Sequence, residues 1–242
     1  MRPRQDVRDN IKDDVRFRLA LALDTDDLDR AVEMAAAAKE VFGVVKVGLE
    51  LFSACGPAAV TRLISEGFRV FVDLKLYDIP TTVEKAARVL GRLGCSYVTV
   101  HGAGGMSTLE AAVAGCRQGA EESGHPVSNV LAVTVLTSEI AQAGEVHHRT
   151  ELAAQSGCAG IVCSADDVYA LKQRHPGLIA VVPGIRLPGD PHHDQVRAST
   201  PAQAIEKGAD LLVVGRAVTA SRNPLATAFS IREDVERAIS SK

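Results

Sequence analysis

The 242-residue sequence predicts an α/β protein built as a single (β/α)8 TIM barrel. Three observations carry that expectation. Eight short apolar runs, rich in valine, isoleucine and leucine, recur along the chain with amphipathic stretches between them. Such alternation specifies parallel strands buried on both faces and covered by helices. The length suits one closed barrel. Finally, the first run ends Leu23-Asp24-Thr25-Asp26 without a glycine, whereas a doubly wound open sheet, the competing architecture, usually carries a glycine fingerprint at that turn.

The elements follow in order. Strand one is expected over Leu19–Leu23, and the helical pattern Leu28–Lys39 follows it. Strand two, Val44–Val47, leads into Pro57–Glu66, where proline suits a first helical turn. Strand three, Arg69–Val72, is followed by Thr82–Leu93, and strand four, Tyr97–Val100, by Thr108–Arg117. Strand five is placed at Val130–Thr134 and strand six at Gly160–Val162, with no helix singled out between them. The pattern Asp166–Arg174 precedes strand seven at Ile179–Val182, and Thr200–Lys207 precedes strand eight at Leu211–Val214. A last helix is expected from about Pro224 to Ile239. The glycines of His101-Gly102-Ala103-Gly104-Gly105 partly resemble a dinucleotide fingerprint but are better read as permitting a tight turn. Residues 1–17 form a charged N-terminal arm and 18–242 the barrel, with no linker between domains.

Composition narrows the function. The chain is 46% hydrophobic and 24% charged, as expected of a soluble globular protein. Tryptophan is absent and aromatics make up 4%, so Ala, Val, Leu and Ile must fill the core. A net charge of −3 argues against a general nucleic-acid surface, and an anionic ligand would need locally placed Lys and Arg. Five cysteines without a CxxC pair read as mostly buried thiols in a reducing, cytoplasmic compartment. The N-terminal segment lacks the apolar centre of a signal peptide, and no run approaches the ~20 apolar residues of a membrane span.

Polar groups collect at the strand ends, where barrels of this kind place their chemistry. These ends carry Asp24, Lys46, Asp73 with Lys75, Thr134 to Thr137, Arg186 and Arg216. The stretch Asp73-Leu74-Lys75-Leu76-Tyr77-Asp78-Ile79-Pro80-Thr81-Thr82 is the densest. Alternation along a strand puts Asp73 and Lys75 on one face, and charges of both signs are expensive to bury there without a purpose. The bland alternative is an ion pair followed by an aspartate N-cap, with Pro80 in the first turn. Six ends carrying potential ligands outweigh it, because they converge on one mouth. Val182-Pro183-Gly184-Ile185-Arg186 and Val214-Gly215-Arg216 suggest an anion site after strands seven and eight, with Leu187 to Arg197 long enough to fold over it.

Metal and nucleophile chemistry find little support. His147-His148 and His192-His193-Asp194 are adjacent pairs, which rarely both ligate one ion, and no HxxxH spacing accompanies them. No GxSxG elbow is present, and Cys163-Ser164 has no evident histidine partner. No metal ligand is therefore assigned.

Asp73-x-Lys75-x-x-Asp78-Ile79-x-x-Thr82 resembles the signature of the orotidine 5′-phosphate decarboxylase family. The likeness extends from Ala22-Leu23-Asp24 through Lys46-Val47-Gly48, Val100-His101-Gly102-Ala103-Gly104-Gly105 and Thr134-Val135-Leu136-Thr137-Ser138. It continues through Val162-Cys163-Ser164, Pro183-Gly184-Ile185-Arg186, Asp194-Gln195 and Val214-Gly215-Arg216. Tyr77 stands where many members have histidine. The DxKxxD core is shared with related sugar-phosphate barrels.

The resemblance implies cofactor-free decarboxylation of orotidine 5′-phosphate to uridine 5′-phosphate in pyrimidine synthesis. It implies that Lys75 protonates C6 within a Lys46-Asp73-Lys75-Asp78 charge array, and that Asp24 and Lys46 hold the ribose hydroxyls. Asp73 also lines the substrate. Thr137 is implied near the pyrimidine, and Arg186, Gln195, Gly215 and Arg216 on the phosphate side. Asp78, Ile79 and Thr82 are implied to reach a neighbouring subunit's site, so a homodimer with shared active sites follows. Two alternatives stay open: a magnesium-dependent keto-sugar-phosphate decarboxylase or synthase of the same barrel class, and a phosphate-binding barrel without catalysis.

Overall fold

Strands that are apolar on both sides need two apolar neighbours, which a closed barrel supplies as an interior and a jacket of helices. The computed structural model describes residues 14–136, 139, 142, 144–187 and 199–241. In it β1 (Leu19–Ala22), β2 (Val44–Val47), β3 (Arg69–Leu76), β4 (Tyr97–His101), β5 (Asn129–Val133), β6 (Gly160–Val162), β7 (Ile179–Val182) and β8 (Leu211–Val214) run parallel in chain order. β8 pairs with β1 and closes the barrel.

The jacket comprises α1 (Leu28–Ala37), α2 (Leu49–Cys55), α3 (Pro57–Ser65), α4 (Pro80–Arg92) and α5 (Gly105–Ser123). It continues with α6 (Glu145–Gln155), α7 (Ala165–Arg174), α8 (Pro201–Glu206), α9 (Arg216–Thr219) and α10 (Pro224–Ser240). Three of these, α2, α6 and the four-residue α9, were not expected from the sequence. Gly56 at φ 59° breaks α2 from α3, leaving α2 only seven residues long. α6 carries His147, His148 and Arg149 through its middle and shows little separation of apolar from polar faces. Helices α4 and α5 pack backbone against backbone: a Cβ added at Gly119 would lie 2.0 Å from the Arg88 carbonyl oxygen.

Two cores follow from the period of two along each strand. Val70 and Val72 join the core between strands and helices, whereas Phe71 joins Tyr97, Leu131 and Val181 inside the barrel. By the same parity Asp73 and Lys75 continue the inward face of β3, and Thr99 and His101 that of β4. Among the described residues the 3-10 turn Val15–Arg18 lies against β1, β2 and β8 at the barrel floor. There the Gly43 amide donates to the Arg16 carbonyl at 2.8 Å, and the Arg69 guanidinium lies 3.9 Å from the Phe17 ring centroid. The polar inward positions are thus left at the opposite, C-terminal mouth. Among the described residues no helix is long and apolar enough to cross a membrane.

Candidate active site

The site begins with an irregularity in β3. Val72 pairs with Val98, and the next paired residue, Leu76, meets Val100. Four steps along β3 therefore span two along β4, a bulge that takes Lys75 out of the ladder. Lys75 adopts φ 50°, and it is the only non-glycine residue with positive φ among the described residues. That conformation costs about 1–2 kcal/mol for a residue bearing a Cβ. Strand β3 thus reaches Leu76, four residues beyond the expected end, and carries both charged side chains on its inner face.

Those side chains form an alternating chain of charge. Lys75 Nζ lies 2.9 Å from Asp73 Oδ2, Lys46 Nζ lies 3.6 Å from the same oxygen, and Lys46 also lies 3.5 Å from Asp24 Oδ1. Asp73 and Lys46 are nearly buried, with side-chain exposures of 13% and 12%, while Lys75 retains 31%. Burial opposes ionisation of Asp73 and is the largest single influence on it. Lys46, Lys75 and a hydrogen bond from Thr99 together outweigh burial and hold the carboxyl below its usual range. Gly48 keeps this arrangement open, since a Cβ there would sit 2.9 Å from Lys46 Nζ.

Asp24, Lys46, Asp73 and Lys75 line one side of a cavity of about 240 Å³ at the barrel mouth. Arg186, Gly215 and Arg216 line it as well, so the expected anion-binding residues share one space with the expected charge array. Arg186 is 6% exposed, and its Nη1 donates to the Ile185 carbonyl at 2.8 Å. Gly215 precedes the four-residue helix α9, which starts at Arg216. Val133, Val135, Leu136, Val162 and Pro183 supply an apolar wall. A flat, partly apolar anion could be held between that wall and the cations, with the Lys75 ammonium available as a proton donor. Among the described residues no group of three His, Cys, Asp or Glu side chains is placed to hold a metal ion.

Three expected residues do not line the cavity of this chain. Asp78, Ile79 and Thr82 are exposed around the start of α4, with Ile79 at 67%. Asp78 is not the helix cap: the N-cap position is Ile79, and the Asp78 carboxylate accepts from the Ile79 amide at 2.7 Å. Pro80 does occupy the first helical position. Beside them Tyr77 is 64% exposed, its ring 5.3 Å from that of His101. Burial, with Arg149 and Lys75 nearby, lowers the His101 pKa and favours the neutral ring. Thr137, Gln195 and most of the stretch Leu187 to Arg197 lie outside the described residues.

Thr99 is part of this site although the sequence reading did not select it. It is fully buried, and it donates to Asp73 Oδ1 at 3.0 Å while accepting the Lys75 amide at 2.9 Å. Its signal was a small hydroxyl at an inward position of β4, between Tyr97 and His101. The missed helix α6 also supports the mouth, through Arg149, which bonds the Thr134 carbonyl and Glu145.

Known proteins supply the comparison. Residues 18–231 match the model of the "Orotidine 5′-phosphate decarboxylase / HUMPS family". The orotidine 5′-phosphate decarboxylase of Moorella thermoacetica is 38% identical, over 95% of this chain and 96% of its own length. That of a Synechococcus strain is 44% identical, over 86% of this chain and 90% of its own. Among solved structures, the crystal structure of orotidine 5′-phosphate decarboxylase from Lactobacillus acidophilus superposes with a TM-score of 0.77 at 33% identity. It covers 90% of this chain and 98% of that one.

Proposed function

The chain belongs to the orotidine 5′-phosphate decarboxylase / HUMPS family, and we propose that it decarboxylates orotidine 5′-phosphate to uridine 5′-phosphate and carbon dioxide in pyrimidine biosynthesis. The observation that carries this reading is the position of Lys75. Its ammonium sits 2.9 Å from a buried aspartate in the same cavity as Arg186 and Arg216.

The reaction breaks the bond from C6 to the carboxylate. The electron pair stays on C6 in the ring plane, where no π system can absorb it, and carbon dioxide departs. Preorganised charge must then stabilise the developing carbanion. In this reading the Lys75 ammonium faces C6, attracts the growing charge and gives its proton to C6, after which water reprotonates the amine. Asp73 favours the charged form of Lys75, and Lys46 completes the array across Asp73. Asp24 and Lys46 hold the ribose hydroxyls, with Thr137 at the pyrimidine. Arg186, Gly215 and Arg216, with Gln195, take the phosphate. No metal or organic cofactor is assigned a role.

The same reading makes the protein a homodimer whose partner subunit completes each site. Asp78, Ile79 and Thr82 then act across the interface, and Asp78 becomes the second carboxylate beside Lys75. Support comes from their exposure away from this chain's own cavity, next to the exposed ring of Tyr77. Residues 18–242 are the catalytic barrel, and the expected arm 1–17 gives up its last residues to the turn Val15–Arg18 against the barrel floor. A reducing cytoplasm suits the five cysteines, four of them buried and none in a disulfide.

An ultraviolet assay of orotidine 5′-phosphate consumption in excess chelator tests the proposal. Turnover unaffected by chelation is expected. Loss of activity that magnesium restores would transfer the chain to the metal-dependent keto-sugar-phosphate reading, and no turnover under either condition would support a binding role alone.

A further inference from the structure

We propose that Thr99 is a positioning residue for the reaction: its single hydroxyl joins the Asp73 carboxylate to the Lys75 backbone, so that the ammonium of Lys75 is aimed and held from both ends. The proposal rests on the decarboxylase reading above and names a residue that reading does not use. Three independent observations support it. The first is register. Between Val72 and Leu76 strand β3 leaves its ladder with β4, so the Lys75 amide loses a neighbouring carbonyl, and Thr99 Oγ1 accepts it instead at 2.9 Å.

The second is direction. A hydroxyl has one proton, and here it goes to Asp73 Oδ1 at 3.0 Å, while the other carboxylate oxygen receives the Lys75 ammonium at 2.9 Å. A closed loop results, from Lys75 amide to Thr99 hydroxyl, to Asp73 carboxylate, and back to Lys75 Nζ. The bond from the Lys75 amide polarises the hydroxyl that Thr99 donates, and this donor and the ammonium converge on the two oxygens of Asp73. The third is burial. Thr99 is 0% exposed, so water cannot replace it without rearrangement. The hydroxyl is what closes the loop, and the methyl group fills the rest of the space. Valine keeps the shape and removes both bonds.

Thr99→Val should therefore lower kcat by roughly 10- to 100-fold, the loss expected when a hydrogen bond to a charged group is removed. KM should change much less, since Thr99 is not among the residues lining the cavity. The acid limb of the kcat/KM profile should move to higher pH, because Asp73 loses one of the groups that favour its ionised form. Thr99→Ser, which keeps the hydroxyl, should recover most of the lost rate. A Thr99→Val enzyme with unchanged kcat and pH profile overturns the proposal, and so does a Thr99→Ser enzyme as impaired as Thr99→Val. Titration of the Asp73 carboxyl by carbon-13 NMR in the ligand-free proteins is independent of turnover. The Asp73 pKa should rise in Thr99→Val and stay near the wild-type value in Thr99→Ser, and equal values in all three proteins refute the role of Thr99. Failure of the decarboxylase reading would show separately, as wild-type protein inert toward orotidine 5′-phosphate while the NMR difference persists.

Discussion

Replacing Asp73 by asparagine removes one charge at almost constant volume, and the geometry sets the size of the effect. Asp73 Oδ2 lies 2.9 Å from Lys75 Nζ and 3.6 Å from Lys46 Nζ. At an effective dielectric of about 20 each contact contributes about 4–6 kcal/mol of direct attraction, much of which desolvation offsets. Because both ammonium groups touch one oxygen, they lie within about 6.5 Å of each other. Without the carboxylate they repel by at least about 2.5 kcal/mol. Lys46 keeps Asp24 at 3.5 Å and Lys75 is 31% exposed, so the net loss should fall at the low end of the range for a broken buried pair, about 3 kcal/mol. For a chain of this size that is a fall in Tm of about 6–12 °C near neutral pH. Circular-dichroism melts across a pH series supply the check. The folded-state pKa of Asp73 lies below its ordinary value of 3.8, so its contribution is fully present above that value and lost as pH falls through the folded-state pKa. The gap between wild type and Asp73→Asn should be widest near neutrality and narrow in acid. A variant that melts no lower than wild type at neutral pH, or a gap that widens in acid, refutes the reasoning.

Two further outcomes follow from the same geometry. Arg216→Ala should lower kcat as well as raise KM, with kcat/KM falling about 100-fold or more, because phosphate binding energy is used to close the site around a distant reacting carbon. Steady-state kinetics that show a change in KM alone would refute that use. Lys75→Ala and Asp78→Ala homodimers should each be nearly inactive, and equal mixing with subunit exchange should recover about a quarter of wild-type activity, since half the dimers then carry one intact site of two. Proven exchange without recovery would place Asp78 outside the neighbouring site.

The parts of this molecule that depend on period and chemistry within one segment were legible in its sequence. Eight apolar runs alternating with helices dictated a closed parallel barrel, and residues at the strand ends did converge on one cavity from Asp24 to Arg216. Asp73 and Lys75 share a face because side chains alternate, and that could be read before any coordinate. What stayed hidden depends on how distant segments meet. Thr99 is ordinary in its own strand, and its importance arises from a register shift against a strand more than twenty residues earlier. Helix α6 was missed because three charged or polar residues, His147, His148 and Arg149, blur its apolar stripe. The alternative of Asp78 as a helix cap was open because aspartate is favoured there, yet the chain begins the helix one residue later, with Ile79 at the N-cap.

The backbone at Lys75 favours the proposed site over a purely structural ion pair. A pair formed only for stability has no need to leave the sheet, since residues two apart on a regular strand already place their side chains together. Here β3 abandons its register, Lys75 takes a left-handed conformation at φ 50°, and a buried threonine is committed to the amide set free. Each departure costs stability, and a lysine on an ordinary strand would avoid all of them. Strain of this kind persists where the surroundings over-determine it, and it gathers at sites whose geometry matters more than their stability. The bulge takes Lys75 out of the ladder with β4 and leaves its amide to the Thr99 hydroxyl, while its ammonium stays 2.9 Å from Asp73. In the decarboxylase reading proposed above, such an ammonium is the proton donor to a single ring carbon.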